Sequence, residues 1–277
     1  VGTIRQPTYL RREEPLRGRF FRVWSIFASG VRRGFRRPFA LFTILLALAT
    51  GVIMTIFNIF VAGLFGQEIT LSSFFQTLTN PAILVFMLLV AAGVGSGLIA
   101  DDMRHRSLTL YLSRPVTSVG YVAAKASIVG LALFIAVAFP GVVGPIVAAL
   151  LGYTGWETAL IALGAGLAFG LLAVGVFGLI VLMFSSLTTR KGIAAAAMFA
   201  VGFASSALAL PLRNLFEADE LLHLSLYENL LAVGRLVYGV EQVGTTWEVS
   251  LVILAALMVG AFAITLLRIR TIEVVSG

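Results

Sequence analysis

The sequence contains no cysteine, and only two histidines, His105 and His223, among its 277 residues. Disulfide staples and thiolate metal sites are therefore excluded, and a histidine-based metal centre is not expected. His223 has no obvious partner in the sequence, which favours a structural role. No HExxH, GxSxG or GxxxxGK[ST] pattern occurs, so neither a metalloprotease, a serine hydrolase nor a nucleotide-binding loop is expected. Charge is also scarce. Charged residues make up 12% of the chain and hydrophobic ones 59%, whereas soluble domains are roughly 25% charged. A soluble chain this apolar could not cover its surface, so lipid must be the solvent for much of it.

Charge is absent where the apolar residues concentrate. Six runs approach the roughly 20 residues needed to cross a bilayer: Phe39–Ala62, Ala82–Ala100, Ala126–Leu151, Ala159–Phe184, Ile193–Leu210 and Ser250–Leu267. None contains Asp, Glu, Lys, Arg or His. Helices satisfy their own backbone groups in lipid, and the runs lack the alternation of a barrel strand. An all-α integral membrane protein with six transmembrane helices is expected. Proton-coupled pumps carry ionisable groups inside the bilayer. These runs carry polar but uncharged residues such as Thr43, Thr50, Asn58 and Ser96 instead, so energy for uphill transport is expected from another subunit. Residues 1–18 hold no continuous apolar core, and no cleavable signal is expected.

The net charge is +7. In a soluble protein that excess would point to nucleic acid. Here the arginines flank the apolar runs, so membrane orientation accounts for them and no nucleic-acid partner is expected. Residues 1–38 form an N-terminal segment in which Phe20, Trp24, Phe27 and Val31 share one helical face. Arg22, Arg32, Arg33 and Arg36 supply the charge. Such a helix suits the headgroup region and its lipids, and Pro38 marks the bend into the first span.

Residues 39–277 then form one six-helix domain. Gly93 and Gly97, and Gly166 and Gly170, are small-xxx-small pairs that allow close helix approach. Pro140, Gly141, Gly144 and Pro145 are expected to kink or break the third helix. The segment 211–249 mixes Leu221, Leu222, Leu224, Leu226, Leu230 and Leu231 with acids. One or two amphipathic helices are expected there, punctuated by Gly234, Gly239 and Gly244.

The loop 101–125 follows the second span. Asp101, Asp102, Arg104, His105 and Arg106 make its start polar, and Met103 lies between them. Leu108, Tyr111 and Leu112 stand at i, i+3 and i+4 beside Thr109, so the spacing predicts a short amphipathic helix ended at Arg114–Pro115. Its apolar face is too small to anchor in lipid and suits a groove on a partner.

This segment resembles the first cytoplasmic loop of type-2 ABC transporter permeases. The matching residues are Asp101 or Asp102, Arg104 or Arg106, Thr109–Leu110, Leu112–Ser113–Arg114–Pro115 and Lys125. The family usually has Glu at the acidic position and Gly before the Thr, where this chain has Asp and Leu108. The layout of interfacial helix, six spans and helical outer loop is also similar.

The resemblance implies the membrane subunit of an ATP-driven exporter in the plasma membrane. It would pair with a second copy or a related permease, with spans 1 and 5 and the outer loop lining the contact. It would dock a separate cytoplasmic ATPase through residues 101–112, with Asp101, Asp102 and Arg106 orienting the loop and Leu108 and Tyr111 filling the groove. Arg190 and Lys191 would form a second cytoplasmic loop. No enzyme activity or cofactor is implied for this chain, since ATP and Mg belong to the partner. The competing readings are a stand-alone secondary transporter or channel, which leaves the docking-like loop unexplained, and a lipid-modifying membrane enzyme. Only Asp101, Asp102 and His105 could serve the latter.

Orientation is the first testable expectation. Eighteen of the 20 Lys and Arg residues fall in the N-terminal segment, the loops after spans 2 and 4, and the C-terminus; only Arg213 and Arg235 lie on the other side. The positive-inside rule puts both termini in the cytoplasm. In this cysteine-free chain, single cysteines at loop positions near Gly66 and Thr245 should react with an impermeant thiol reagent in intact cells. A cysteine at Ser107 should not, and its labelling would reverse the topology.

Overall fold

The computed structural model describes residues 18–107 and 117–275. Six helices are long and apolar enough to cross a membrane, and no strand occurs among the described residues. The chain is an all-α, multi-pass membrane protein.

Helix α1 (Arg19–Gly34) precedes the spans and packs along the start of the third. Its expected apolar face divides in two. Phe27 and Val31 rest on the core, while Phe20 and Trp24 stay exposed, free to meet lipid. The first span, α2 (Pro38–Phe65), starts with proline at its first turn, where no N–H is needed, and ends at Gly66 in the left-handed conformation.

A short helix, α3 (Leu71–Leu78), follows, with Phe74, Phe75 and Leu78 buried. It is too short to stand out in the sequence as a run. The second span (Pro81–Arg104) is composite: α4 (Pro81–Val90), a π turn over Ala91–Gly95, and α5 (Gly97–Arg104). The Asn80 side chain caps α4 by accepting from the Ala82 N–H at 2.9 Å.

The third span, α6 (Ser118–Leu150), is capped by Thr117, which accepts from the Gly120 N–H at 3.1 Å. It does not break at its prolines: Pro140 and Pro145 both lie inside a continuous helix. Each proline removes one ladder hydrogen bond, and close packing on both sides holds the remainder. The fourth span, α7 (Trp156–Leu187), lies against α6. Gly170 faces Ala138, whose Cβ is 3.0 Å from where a glycine Cβ would sit, and Gly166 faces the Gly141 carbonyl at 2.9 Å. This small-residue pair serves packing, as its spacing suggested. In lipid that packing carries the association, because apolar tails offer helices no hydrophobic gain from meeting.

The fifth span, α8 (Lys191–Phe216), passes Pro211, so the outer connection is shorter than 211–249. That connection is helical, as expected. A 3-10 turn (Asp219–Leu224) leads to α9 (Leu226–Tyr238), capped by Ser225, which accepts from the Glu228 N–H. Leu226, Leu230, Val233 and Tyr238 of α9 are buried against α3, α7 and α10 (Trp247–Val275), the sixth span. Gly239 and Gly244 both have positive φ, 64° and 79°, and turn the chain.

His223 is not alone. Its Nδ1 lies 2.9 Å from Asn229 Oδ1 and 3.3 Å from Ser250 Oγ, so it ties the outer connection to the sixth span. The Tyr227 hydroxyl donates to the Thr79 carbonyl. Burial, and then the charge of Glu228, push its pKa up to about 12, so it remains a donor at physiological pH.

Gly51 is the tightest point between the first and third spans. A Cβ there would meet Pro140 Cγ at 2.4 Å, and the pyrrolidine ring cannot rotate away. Gly51→Ala should therefore destabilise the protein by about 1–3 kcal/mol, as overpacking does. Thermal unfolding in detergent checks this, and an unchanged midpoint would mean that the two spans separate freely.

Candidate functional site

The loop after the second span is rooted on α5, and the π turn separates α5 from the rest of its span. A π turn interrupts the α-helical ladder and often marks a functional site. Ser185 of α7 fills this interruption. Its Oγ accepts from the N–H groups of Ile99 and Ala100, both at 3.0 Å, and donates to the Ser96 carbonyl at 2.8 Å. One buried hydroxyl thus completes the backbone of another helix. Nothing in the sequence marked Ser185, because a single serine in an apolar run carries no spacing signal.

Two carboxylates anchor the end of α5 to its neighbours. Asp101 accepts from Arg37, at the start of the first span, at 2.9 Å. Gly97 makes this possible: a Cβ there would lie 2.9 Å from Asp101 Oδ2 and 3.1 Å from Arg37 Nη1. The pair is partly exposed, so its energetic weight is modest.

Asp102 points inward. It takes Lys125 Nζ at 2.7 Å and the Tyr121 hydroxyl at 2.6 Å, both from α6, and the Ser107 hydroxyl at 3.1 Å. The Lys125 and Asp102 side chains are only 7% and 13% exposed, which makes this a buried ion pair. Lys125 also lies 5.3 Å from the Tyr121 ring centroid, within cation–π range. Lys125 belongs to α6 and not to the loop, since α6 starts seven residues earlier at Ser118. The expected loop 101–125 is correspondingly shorter at both ends. The two acids hold the root of the loop to spans 1 and 3.

Beyond them, Arg104, His105 and Arg106 are exposed. His105 Nδ1 lies 2.8 Å from the Asp101 carbonyl. Arg106 has φ 53°, a left-handed conformation that a non-glycine residue adopts only when its surroundings require it, and α5 stops there. Met103 packs on the core. Leu108, Thr109, Tyr111 and Leu112, the expected apolar face, lie outside the described residues. Arg190 closes the short connection between α7 and α8 and Lys191 begins α8; both are exposed, and the Arg190 N–H donates to Thr188 Oγ1 at 3.1 Å.

At this same end a groove of about 500 Å³ opens between spans 1, 2 and 5. Arg37 and Lys191 line it together with Phe39 and Phe199, Gly93 of the π turn, and Ser96 just after that turn. Gly93 faces Phe39 and Thr43, where a Cβ would come within 3.3 Å of both. Gly93 and Gly97 thus serve different ends, one shaping the groove and the other admitting an ion pair. No group of metal-ligating side chains occurs among the described residues.

Removing one member of the buried pair leaves the other charged and unpaired, at a cost of about 3–5 kcal/mol. Asp102→Ala and Lys125→Ala should each lower the unfolding midpoint sharply. Asp102→Leu combined with Lys125→Met should recover most of the loss. A loss in the double variant equal to the sum of the two single losses would show that the two residues are not coupled. The chain matches no family model and no curated protein, so its function must be read from its own residues.

Proposed function

We propose that this chain is the membrane-spanning permease of an ATP-driven transporter, an exporter in the plasma membrane, whose ATPase is a separate cytoplasmic subunit. The observation that carries this reading is the construction of α5. A polar, solvent-facing loop is mounted on a helix segment that a π turn sets apart from its own span. That segment is bound to span 1 through Arg37, to span 3 through Lys125 and Tyr121, and to span 4 through Ser185. A force applied at the loop by a docked partner would reach three spans at once. A loop that merely connected two helices would need none of these attachments.

The groove between spans 1, 2 and 5 supports a path at the contact of two copies. Spans 1, 5 and 6 are each only 22% buried within the chain over their most apolar stretch, against 61% for span 2, and of these three it is spans 1 and 5 that line the groove. Wide apolar faces beside a groove with cationic residues in its lining suit pairing with a second permease. Such a pair would close the groove from lipid and leave it open toward the basic, cytoplasmic end. The absence of ionisable groups from all six apolar runs agrees with an energy source outside the chain.

The test is purification of the tagged chain from its native membrane together with whatever nucleotide-hydrolysing subunit it retains. Replacing residues 108–112 with a Gly-Ser stretch of equal length should abolish ATPase retention while the helical spectrum is unchanged. A chain that moves solute in vesicles by itself, with no ATPase bound to the unaltered form, would establish a stand-alone secondary transporter or channel instead.

A further inference from the structure

A small cavity lies at the opposite end of the bundle, where α2, α3, α6 and α9 meet; its lining is mostly apolar, with a few polar groups among it. It measures about 20 Å³ and is lined by Asn58, Thr77, Gly141, Pro145 and Tyr238, among others. A single water needs roughly 10–15 Å³ of such space.

Two groups that face the cavity lack their ordinary partners. The Tyr238 side chain is buried, and its hydroxyl has no hydrogen-bond partner. The Gly141 carbonyl should accept from the N–H four residues on, but that residue is Pro145, which has none. The two oxygens are close together: each lies about 3 Å from the point where a Gly166 Cβ would sit, 3.1 Å for Tyr238 and 2.9 Å for Gly141. They are near neighbours without being bonded to each other.

The other polar groups of the cavity have already used their donors. Asn58 Nδ2 donates to Thr77 Oγ1 at 2.8 Å and to the Met54 carbonyl at 3.1 Å. Thr77 Oγ1 donates to the Ser73 carbonyl and Thr55 Oγ1 to the Gly51 carbonyl, both at 2.9 Å. Asn58 Oδ1 receives no donor among the described residues. Ser73 Oγ lies 3.3 Å from Thr70 Oγ1. Among the described lining side chains the Tyr238 hydroxyl is the buried one without a partner, and the Gly141 carbonyl and Asn58 Oδ1 can accept.

We propose that one ordered water occupies this cavity, accepting from the Tyr238 hydroxyl and donating to the Gly141 carbonyl and to Asn58 Oδ1. Three hydrogen bonds are what a buried water ordinarily makes. The water fastens α9 to the proline-interrupted stretch of span 3 and to span 1, and supplies the N–H that Pro145 lacks. Burial pushes the Tyr238 hydroxyl up, so it stays protonated and remains a donor. A metal cation is disfavoured because no carboxylate lines the cavity. The inference is independent of the permease reading.

The sign of one substitution tests it. Removing a hydroxyl that is buried and unsatisfied is neutral or stabilising, whereas removing one that holds a water is destabilising. Tyr238→Phe should lower the unfolding midpoint by about 2–4 °C, the shift expected for one lost hydrogen bond in a chain of this size. An unchanged or raised midpoint would mean a dry cavity and overturn the proposal. Pro145→Ala restores the helix N–H to Gly141, so Tyr238→Phe should cost clearly less in that background; an equal cost would remove Gly141 as a partner of the water. Midpoints measured in sodium, potassium and choline chloride at equal ionic strength should agree. A stabilisation specific to sodium or potassium would identify a bound cation and overturn the water assignment. A cryo-EM map that resolves ordered waters should show a peak within hydrogen-bonding distance of Tyr238 Oη. If Pro145→Ala fails to fold, the midpoint of Tyr238→Phe and the map decide the question without it.

Discussion

In lipid, a backbone N–H or C=O that finds no partner costs several kcal/mol, because no water is there to replace it. The structure depends on meeting that constraint wherever a span departs from a regular helix. The second span departs at its π turn, and Ser185 enters from α7 to bond two amides and one carbonyl. The third span departs at Pro140 and Pro145, and Gly141 there lines a small cavity together with Tyr238 of α9. The two irregular points lie toward opposite ends of the bundle, and each is attended by a side chain from another helix. Irregularity in this fold is local and supported.

The same reasoning extends to charge. Lys125 would be costly among apolar helices without a counter-ion, and Asp102 provides one at 2.7 Å, with Tyr121 and Ser107 filling further positions on the carboxylate. The pair lies where the loop leaves the membrane-spanning part, so an electrostatic requirement of the bundle also fixes the root of the loop. Asp101 and Arg37 add a more exposed attachment on the other side of α5. Docking, in the proposed function, falls to the exposed residues beyond these anchors, Arg104, His105 and Arg106, and to the apolar residues that follow.

Much of this was legible in the sequence, for physical reasons. The six spans stand out because lipid demands about 20 apolar residues at a stretch. Their ends were placed too far inward because helices continue into the interface with polar and aromatic residues, such as Trp156 and Glu157 at the start of α7. The amphipathic α1 and the helical outer connection followed from periodicity. Of the kink or break expected at Pro140 and Pro145, no break occurs: α6 is one continuous helix, with packing on both sides of a ladder missing two bonds. Helix α3 was missed because eight residues give too little periodicity. The inward role of Asp102 and Lys125 was hidden because 23 residues separate them and only the fold brings them together. The bonds of His223 to Asn229 and Ser250 were hidden for the same reason. Spacing reveals a shared helix face but not a contact between helices.

The central claim is that the loop carried by α5 receives force from a nucleotide-hydrolysing partner. The most direct measurement places a photo-activated cross-linking residue at His105, which is exposed, and in a control at Thr246, which is exposed at the other end of the bundle. Both are irradiated in native membranes, and the adducts are identified by mass spectrometry. The account predicts that His105 captures a protein whose sequence contains the GxxxxGK[ST] phosphate-binding loop, and that Thr246 does not. Capture at His105 of lipid or of this chain alone, under conditions where the protein is active in transport, would contradict it.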